Sequence, residues 1–189
     1  MSPLQMQREQ KRIDSGFYVE GYAAKYAPYP LFEDEDGVVY EEFTRDCFNG
    51  CDMSDIIMQY DHEGKVLARQ RNNTLIVETD DVGLFVCADL SKSEASRSLY
   101  EEIENGLVDR MSWGFIPLEY YYDAPRRTLV HTKVKKIFDV SAVSIPANDN
   151  TNIQARSFVN GEIERMTQEL REAKRAKEKL ILKLKLGGF

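Results

Sequence analysis

The chain is short of the residues that would declare a chemistry outright. Its 189 residues include two histidines and three cysteines. Three cysteines (Cys47, Cys51, Cys87) are an odd number and too few for a disulfide framework, so reduced thiols in a cytosolic setting are expected. No apolar run approaches the ~20 residues that a membrane span needs. The opening MSPLQMQREQKRIDSG lacks the apolar stretch of a secretory signal. Positive charge is scarce, with 25 Lys and Arg against 32 Asp and Glu and a net charge of −7. That balance argues against nucleic acid as the main partner, because phosphate recognition needs a basic surface. There is no internal repeat. Apolar content is not lacking: 42% hydrophobic residues are enough for a real core and exclude wholesale disorder. The length fits one domain with an appendage.

The charge is unevenly divided. Residues 157–189 carry eight Lys and Arg against five Asp and Glu, a balance of +3, which leaves −10 on the first 156 residues. Composition changes at the same place, around PANDNTNIQARSFVNG. We therefore expect a flexible segment over 1–15, a folded domain over 16–156 and a helical segment over 157–189. In the last of these, Ile163, Met166, Leu170, Ala173, Lys177, Leu180 and Leu184 recur three and four apart. This is a heptad seam with one polar intrusion, suited either to docking on the domain or to pairing with another helix.

The domain itself reads as strands. FYVEGYAAK (17–25) is short, aromatic and alternating, and Asp36-Gly37 marks a hairpin within YPLFEDEDGVVY. Further strands are expected at 56–60, 66–79 with a turn at Asn72-Asn73, 83–90, 111–122 and 127–145. One helix interrupts them. Ser91-Lys92-Ser93-Glu94 has the form of a capping box, Ala95, Leu99, Ile103 and Leu107 share one face, and Gly106 is a C-terminal stop.

Three polar residues stand out against this background. His62, in QYDHEGK, follows an apolar run and precedes a glycine, which places it at a strand end where functional groups are presented. Ser112, in DRMSWGF, is flanked by large apolar residues, and Gly114 beside it lets the backbone approach something closely. A serine needs a base to act as a nucleophile at neutral pH; otherwise it is a buried hydroxyl bonded to a carbonyl. Asp139, in KIFDVSAVSI, lies in a strand apolar on both faces. A carboxylate there needs a partner, either a histidine N–H or a neighbouring Lys135 or Lys136. Together the three are the chemical types of a hydrolytic triad. The cysteines offer a rival nucleophile, although Cys47 and Cys51 lie among acids that disfavour a thiolate and Cys87 sits in an apolar strand. A zinc site from the cysteines and His62 has poor spacing.

Four blocks in order carry a family resemblance over residues 16–156: GFYVEGYAAKYAPYP, IIMQYDHEGKVLAR, ENGLVDRMSWGF and KIFDVSAVSIPANDNTNI. The chain resembles the prohead (capsid-maturation) serine proteases of tailed bacteriophages, the HK97-type family. The resemblance implies an α+β, mainly β fold, a closed or nearly closed β-barrel flanked by helices and related to the herpesvirus assemblins. It implies a serine nucleophile and a histidine base at Ser112 and His62. Asp139 occupies the acidic position of the closing block, where glutamate is usual. The herpesvirus relatives use a second histidine instead, which brings in His131. In one extended strand residues 131 and 139 are eight steps of ~3.3 Å, roughly 26 Å, apart, so both cannot touch His62. Asp139 lies in the matching motif. Arg69 matches a recurrent family arginine that could hold a carboxylate or an oxyanion, or make only a surface salt bridge. Backbone N–H groups near Ser112 or in the Pro146, Ala147, Asn148 loop are oxyanion-hole candidates. The implied function is a serine endopeptidase that cleaves scaffold and capsid-protein segments, and itself, inside the assembling procapsid in the host cytoplasm. No metal or organic cofactor, no nucleic acid and no membrane are expected. Self-association through the C-terminal helix is a further expectation. The alternative is a catalytically silent assembly or scaffold module that docks through that helix.

Overall fold

The computed structural model describes residues 12–144 and eight positions between 165 and 179. Within residues 12–144, nine strands and one α-helix follow the chain as β1 Tyr18–Lys25, β2 Tyr29–Asp34, β3 Gly37–Phe43, β4 Ile57–Tyr60, β5 Glu63–Arg69, β6 Leu75–Thr79, β7 Gly83–Asp89, α1 Glu94–Glu104, β8 Arg110–Asp123 and β9 Thr128–Val143. The turn chemistry accounts for the joints. Gly37 at φ 109° closes the β2–β3 hairpin. Asp80 Oδ1 accepts the backbone N–H groups of Val82 and Gly83 at 2.8 and 3.0 Å and shapes the β6–β7 turn.

Helix α1 starts two residues later than the capping box suggests. Its cap is Ser93, whose hydroxyl accepts the Ser96 N–H at 3.0 Å. Leu99, Tyr100 and Ile103 are buried, and Ser96 Oγ donates to Leu67 O at 2.7 Å, which seats the helix on β5. Gly106, at φ 71°, lies just past the end, as a C-terminal stop requires.

The strands form two sheets, β1-β7-β6 and β2-β3-β9-β4-β5, with β8 added to β9. The fold is thus α+β and mainly β, but the expected barrel is not there: among the described residues no ladder joins the two sheets into a closed ring. The reason lies in β9. Its sixteen residues take β3 on one flank at Tyr40–Phe43 and β4 on the same flank at Ile57–Tyr60, both parallel, while β8 runs antiparallel along the other. The sheet is organised around a central spine rather than by end-to-end closure. The sheets pack face to face, with Val19, Val86 and Leu84 of the smaller one against Met58, Met111, Ile137 and Val140 of the larger.

Residues 12–15, expected within a flexible segment, lie on the smaller sheet. Arg12 pairs with Glu78 and sits over the Phe85 ring, and Ser15 Oγ donates to Asp89 at 2.5 Å. In the C-terminal segment the described residues, such as Arg165, Arg171 and Lys179, are helical and exposed. The heptad positions Ile163, Met166, Leu170, Ala173, Lys177, Leu180 and Leu184 lie outside the described residues, as do the Pro146, Ala147, Asn148 loop and the boundary near 156.

Candidate active site

His62 stands in the two-residue turn between β4 and β5. Tyr60 and Glu63 pair across it, and Asp61 and His62 both have positive φ, 48° and 60°. Such a turn normally takes asparagine, aspartate or glycine at both positions, because a Cβ is strained there. A histidine in this conformation costs of order 1 kcal/mol or more and persists only where its surroundings impose it. Here the surroundings do so through Asp61. Its N–H donates to Ala142 O at 2.9 Å, and its carboxylate accepts Ser144 N–H and Ser144 Oγ, both at 2.9 Å. The turn is thereby stitched to the end of β9.

The stitching delivers the imidazole to Asp139. Nδ1 of His62 lies 2.6 Å from Asp139 Oδ2. The same oxygen accepts Ser141 Oγ at 2.8 Å. The carboxylate side chain is 4% exposed and the imidazole 20%, so the pair is sheltered on one side and open on the other. An ionised carboxylate can only accept, so the contact puts the ring hydrogen on Nδ1 and turns the Nε2 lone pair outward.

Ser112 reaches the same face by strand register. β8 pairs Ser112 with Ser141 and Gly114 with Asp139. Directly paired residues of an antiparallel ladder share a face and sit ~4.5–5.5 Å apart at Cα. The alternation within MSWGF does the rest. Met111 is fully buried, and Trp113 and Phe115 stack on each other with ring centroids 4.2 Å apart and pack edge-on to Phe43. That leaves Ser112 and Gly114 on the His62 side. Ser112 is half-buried, and among the described residues neither its hydroxyl nor His62 Nε2 makes a hydrogen bond. Gly114 is required by Asp139: a Cβ at this position would overlap Asp139 Oδ1 and the Phe138 ring.

His131, the competing third member, is elsewhere. Its Nε2 lies 2.8 Å from Glu41 Oε1, and its ring stacks on Phe43 at 4.7 Å. Arg69 is held by Asp55, with Nε and Nη2 at 2.7 and 2.5 Å from the two carboxylate oxygens. That is the salt-bridge outcome, and the hydrogen bonds from Arg69 hold the Asp55 carboxyl down at about 2. The thiols are poor nucleophiles: burial pushes Cys47 up to about 12 and raises Cys51 and Cys87. Among the described residues no group of three or more His, Cys, Asp or Glu gathers to hold a metal ion.

Two contributors escaped the sequence reading. Ser141 stands two residues after Asp139, and in a strand that spacing alone puts both on one face. Asp61, beside His62 in QYDHEGK, acts as the staple of the turn. A model of the caudovirus prohead serine protease family matches residues 4–169 of the chain. No curated protein and no solved structure matches it.

Proposed function

The chain belongs to the caudovirus prohead serine protease family, and from that premise we propose that it cleaves peptide bonds through Ser112, His62 and Asp139. Family membership makes it a serine peptidase of capsid maturation. The assignment of the three residues rests chiefly on one observation: the 2.6 Å contact of His62 Nδ1 with a sheltered Asp139, on the face that bears Ser112.

In this reading Ser112 Oγ attacks the scissile carbonyl carbon while His62 Nε2 takes its proton. The C–N bond then breaks, and His62 returns that proton to the leaving amine. A water molecule repeats the sequence on the acyl-enzyme. Asp139 keeps the hydrogen on Nδ1 and stabilises the imidazolium that forms at each transfer. Ser141 and Gly114 hold the carboxylate, one by donating to it and the other by leaving it room. Ser112 and His62 Nε2 come into hydrogen-bond contact when substrate orders the site, as apo geometries commonly require.

The substrates in this reading are scaffold and capsid-protein segments inside the procapsid in the host cell, and the enzyme itself near the linker. The segment 157–189 docks on a partner helix, either its own copy or a scaffold segment. Among the described residues no helix is long and apolar enough to cross a membrane.

A serine-reactive fluorophosphonate tests the assignment. Wild-type protein should be labelled at Ser112, and Ser112→Ala should not be labelled. An unlabelled wild-type enzyme would turn the reading toward a silent assembly module. A chain ending at Arg156 should remain soluble and cleave an unstructured peptide but fail to enter procapsids. Aggregation of that chain would show that the helix belongs to the core.

A further inference from the structure

The face of β8 that carries Ser112 continues past it. Alternation places Gly114 and then Ile116 on the same side. β9 adds a third residue by a bulge. Its pairing passes from Gly114↔Asp139 to Phe115↔Ile137, so Phe138 is the extra residue. A bulge re-aims a side chain, and here it lays the Phe138 ring against Gly114, beside the Asp139 carboxylate.

Both apolar groups are held in water. Phe138 is 47% exposed, although Ile137 before it and Asp139 after it are buried, and Ile116 is 43% exposed. Scattered exposed apolar residues need no explanation. Two on the nucleophile's own face, one of them against the carboxylate that holds the histidine, do call for one. Two flanking lysines are paired within the protein. Lys136, opposite Ile116, donates to Asp52 at 2.8 Å, and Lys133 donates to Glu119 at 2.7 Å. Beside Ser112 the strip therefore presents Phe138 and Ile116, with Lys136 and Lys133 paired away from them.

We propose that Phe138 and Ile116 form an apolar substrate subsite that selects peptides with bulky apolar side chains two and four residues from the scissile bond. The spacing follows from strand geometry. Gly114 and Ile116 lie roughly 6.6 and 13 Å from Ser112 at ~3.3 Å per residue. An extended substrate passing over this face has the same repeat, so its second and fourth residues from the reacting carbonyl meet Phe138 and Ile116. Gly114, lacking a side chain, leaves room for the Phe138 ring to lie against the strand beside Ser112.

The proposal rests on Ser112 as the nucleophile, and the experiment separates the two. Fluorogenic peptides carry Leu or Ser at the second and fourth positions, on the N-terminal side of the scissile bond in one set and on the C-terminal side in another. For the wild-type enzyme one set should show at least a tenfold preference for Leu in kcat/KM, expressed mainly in KM. In Phe138→Ser the preference at the second position should fall to near one. In Ile116→Ser, which is distant from the Asp139 carboxylate, the preference at the fourth position should do the same. Thermal melts confirm that both variants are folded. An unchanged preference in folded Ile116→Ser, or no apolar preference in the wild-type enzyme in either set, overturns the subsite. If Ser112 is not the nucleophile, the fluorophosphonate labels wild-type enzyme elsewhere or not at all, whatever the peptides do.

Discussion

The molecule contains two histidine–carboxylate pairs, and they sit in opposite surroundings. His131 lies within β9, 1% exposed, bonded to Glu41 and enclosed by Phe43, Phe115 and Tyr120. Glu41 also accepts the Tyr29 hydroxyl, which burial and the Glu41 charge hold well above the usual phenol range, so it remains a donor. Among the described residues His131 Nδ1 is buried without a hydrogen-bond partner. His62 lies in a strained turn, its carboxylate sheltered and its own side chain 20% exposed. The pairing is chemically the same in both. What differs is access. A ring closed in by aromatics can brace β3 against β9, but no substrate atom can reach its free nitrogen. A reactive pair needs one closed side, to orient it, and one open side, to work on.

Removing the reactive groups should separate the pairs most sharply. Ser112→Ala and His62→Ala should each lower kcat/KM by about a million-fold, as members of one catalytic unit do, with a melting temperature near that of the wild type. If His131→Ala were equally inactive yet equally stable, the contrast would collapse and His131 would belong to the site. Asp139→Asn should lose about 10⁴-fold, because it spoils tautomer and orientation and leaves the nucleophile in place. Gly114→Ala displaces the same carboxylate and should cost on the order of a hundredfold in steady-state cleavage.

His131→Ala reads the other side of the comparison. It takes a partner from the buried Glu41 and opens a void, at about 3 kcal/mol. For a domain of this size that lowers the melting temperature by roughly 6–12 °C, while the folded fraction cleaves at close to the wild-type rate. Asp61→Ala should lie between the two classes. Loss of the Ser144 contacts costs about 1 kcal/mol, and a tenfold drop in kcat should accompany it as His62 loses its anchor.

Acidification should divide chemistry from stability. The proposed mechanism needs an unprotonated base, so kcat/KM should fall on acidification. The fold should outlast it. Asp89 is held at about 2: burial would raise it, but hydrogen bonds from Ser15 and Ser91 and the Lys92 ammonium overcome that, and Arg69 does the same for Asp55. Carboxyls depressed in the folded state contribute stability that is fully present above the unfolded value of ~3.9 and is lost as pH falls through about 2. Circular dichroism and peptide cleavage followed together from pH 7 to 2 should show activity lost first. Simultaneous loss would mean that these carboxylates do not govern acid unfolding.

Much of this was legible in the chain because it depends on near neighbours. Asp36-Gly37, Asn72-Asn73 and Gly106 announced their turns, since few other residues adopt the positive φ found at Gly37, Asn73 and Gly106. The alternation in MSWGF separates a core face from a site face, and KIFDVSAVSI marks a carboxylate in need of a partner. Even Ser141 was within reach from its spacing. The cap of α1 was misread by two residues because Ser91 and Ser93 both have the right chemistry, and only the local backbone selects between them.

What the sequence alone determined is the order of elements, their turns and the short list of polar groups that could react. The tertiary structure decided which group each histidine meets, across 77 residues for His62 and 90 for His131. It decided that the strands form two sheets, the larger built on β9, instead of a closed barrel. It also decided that a bulge would turn Phe138 outward while Asp139 stays in. The reason is register: a shift of one residue in a strand exchanges its two faces, and register is settled by long-range pairing and packing that no local pattern encodes.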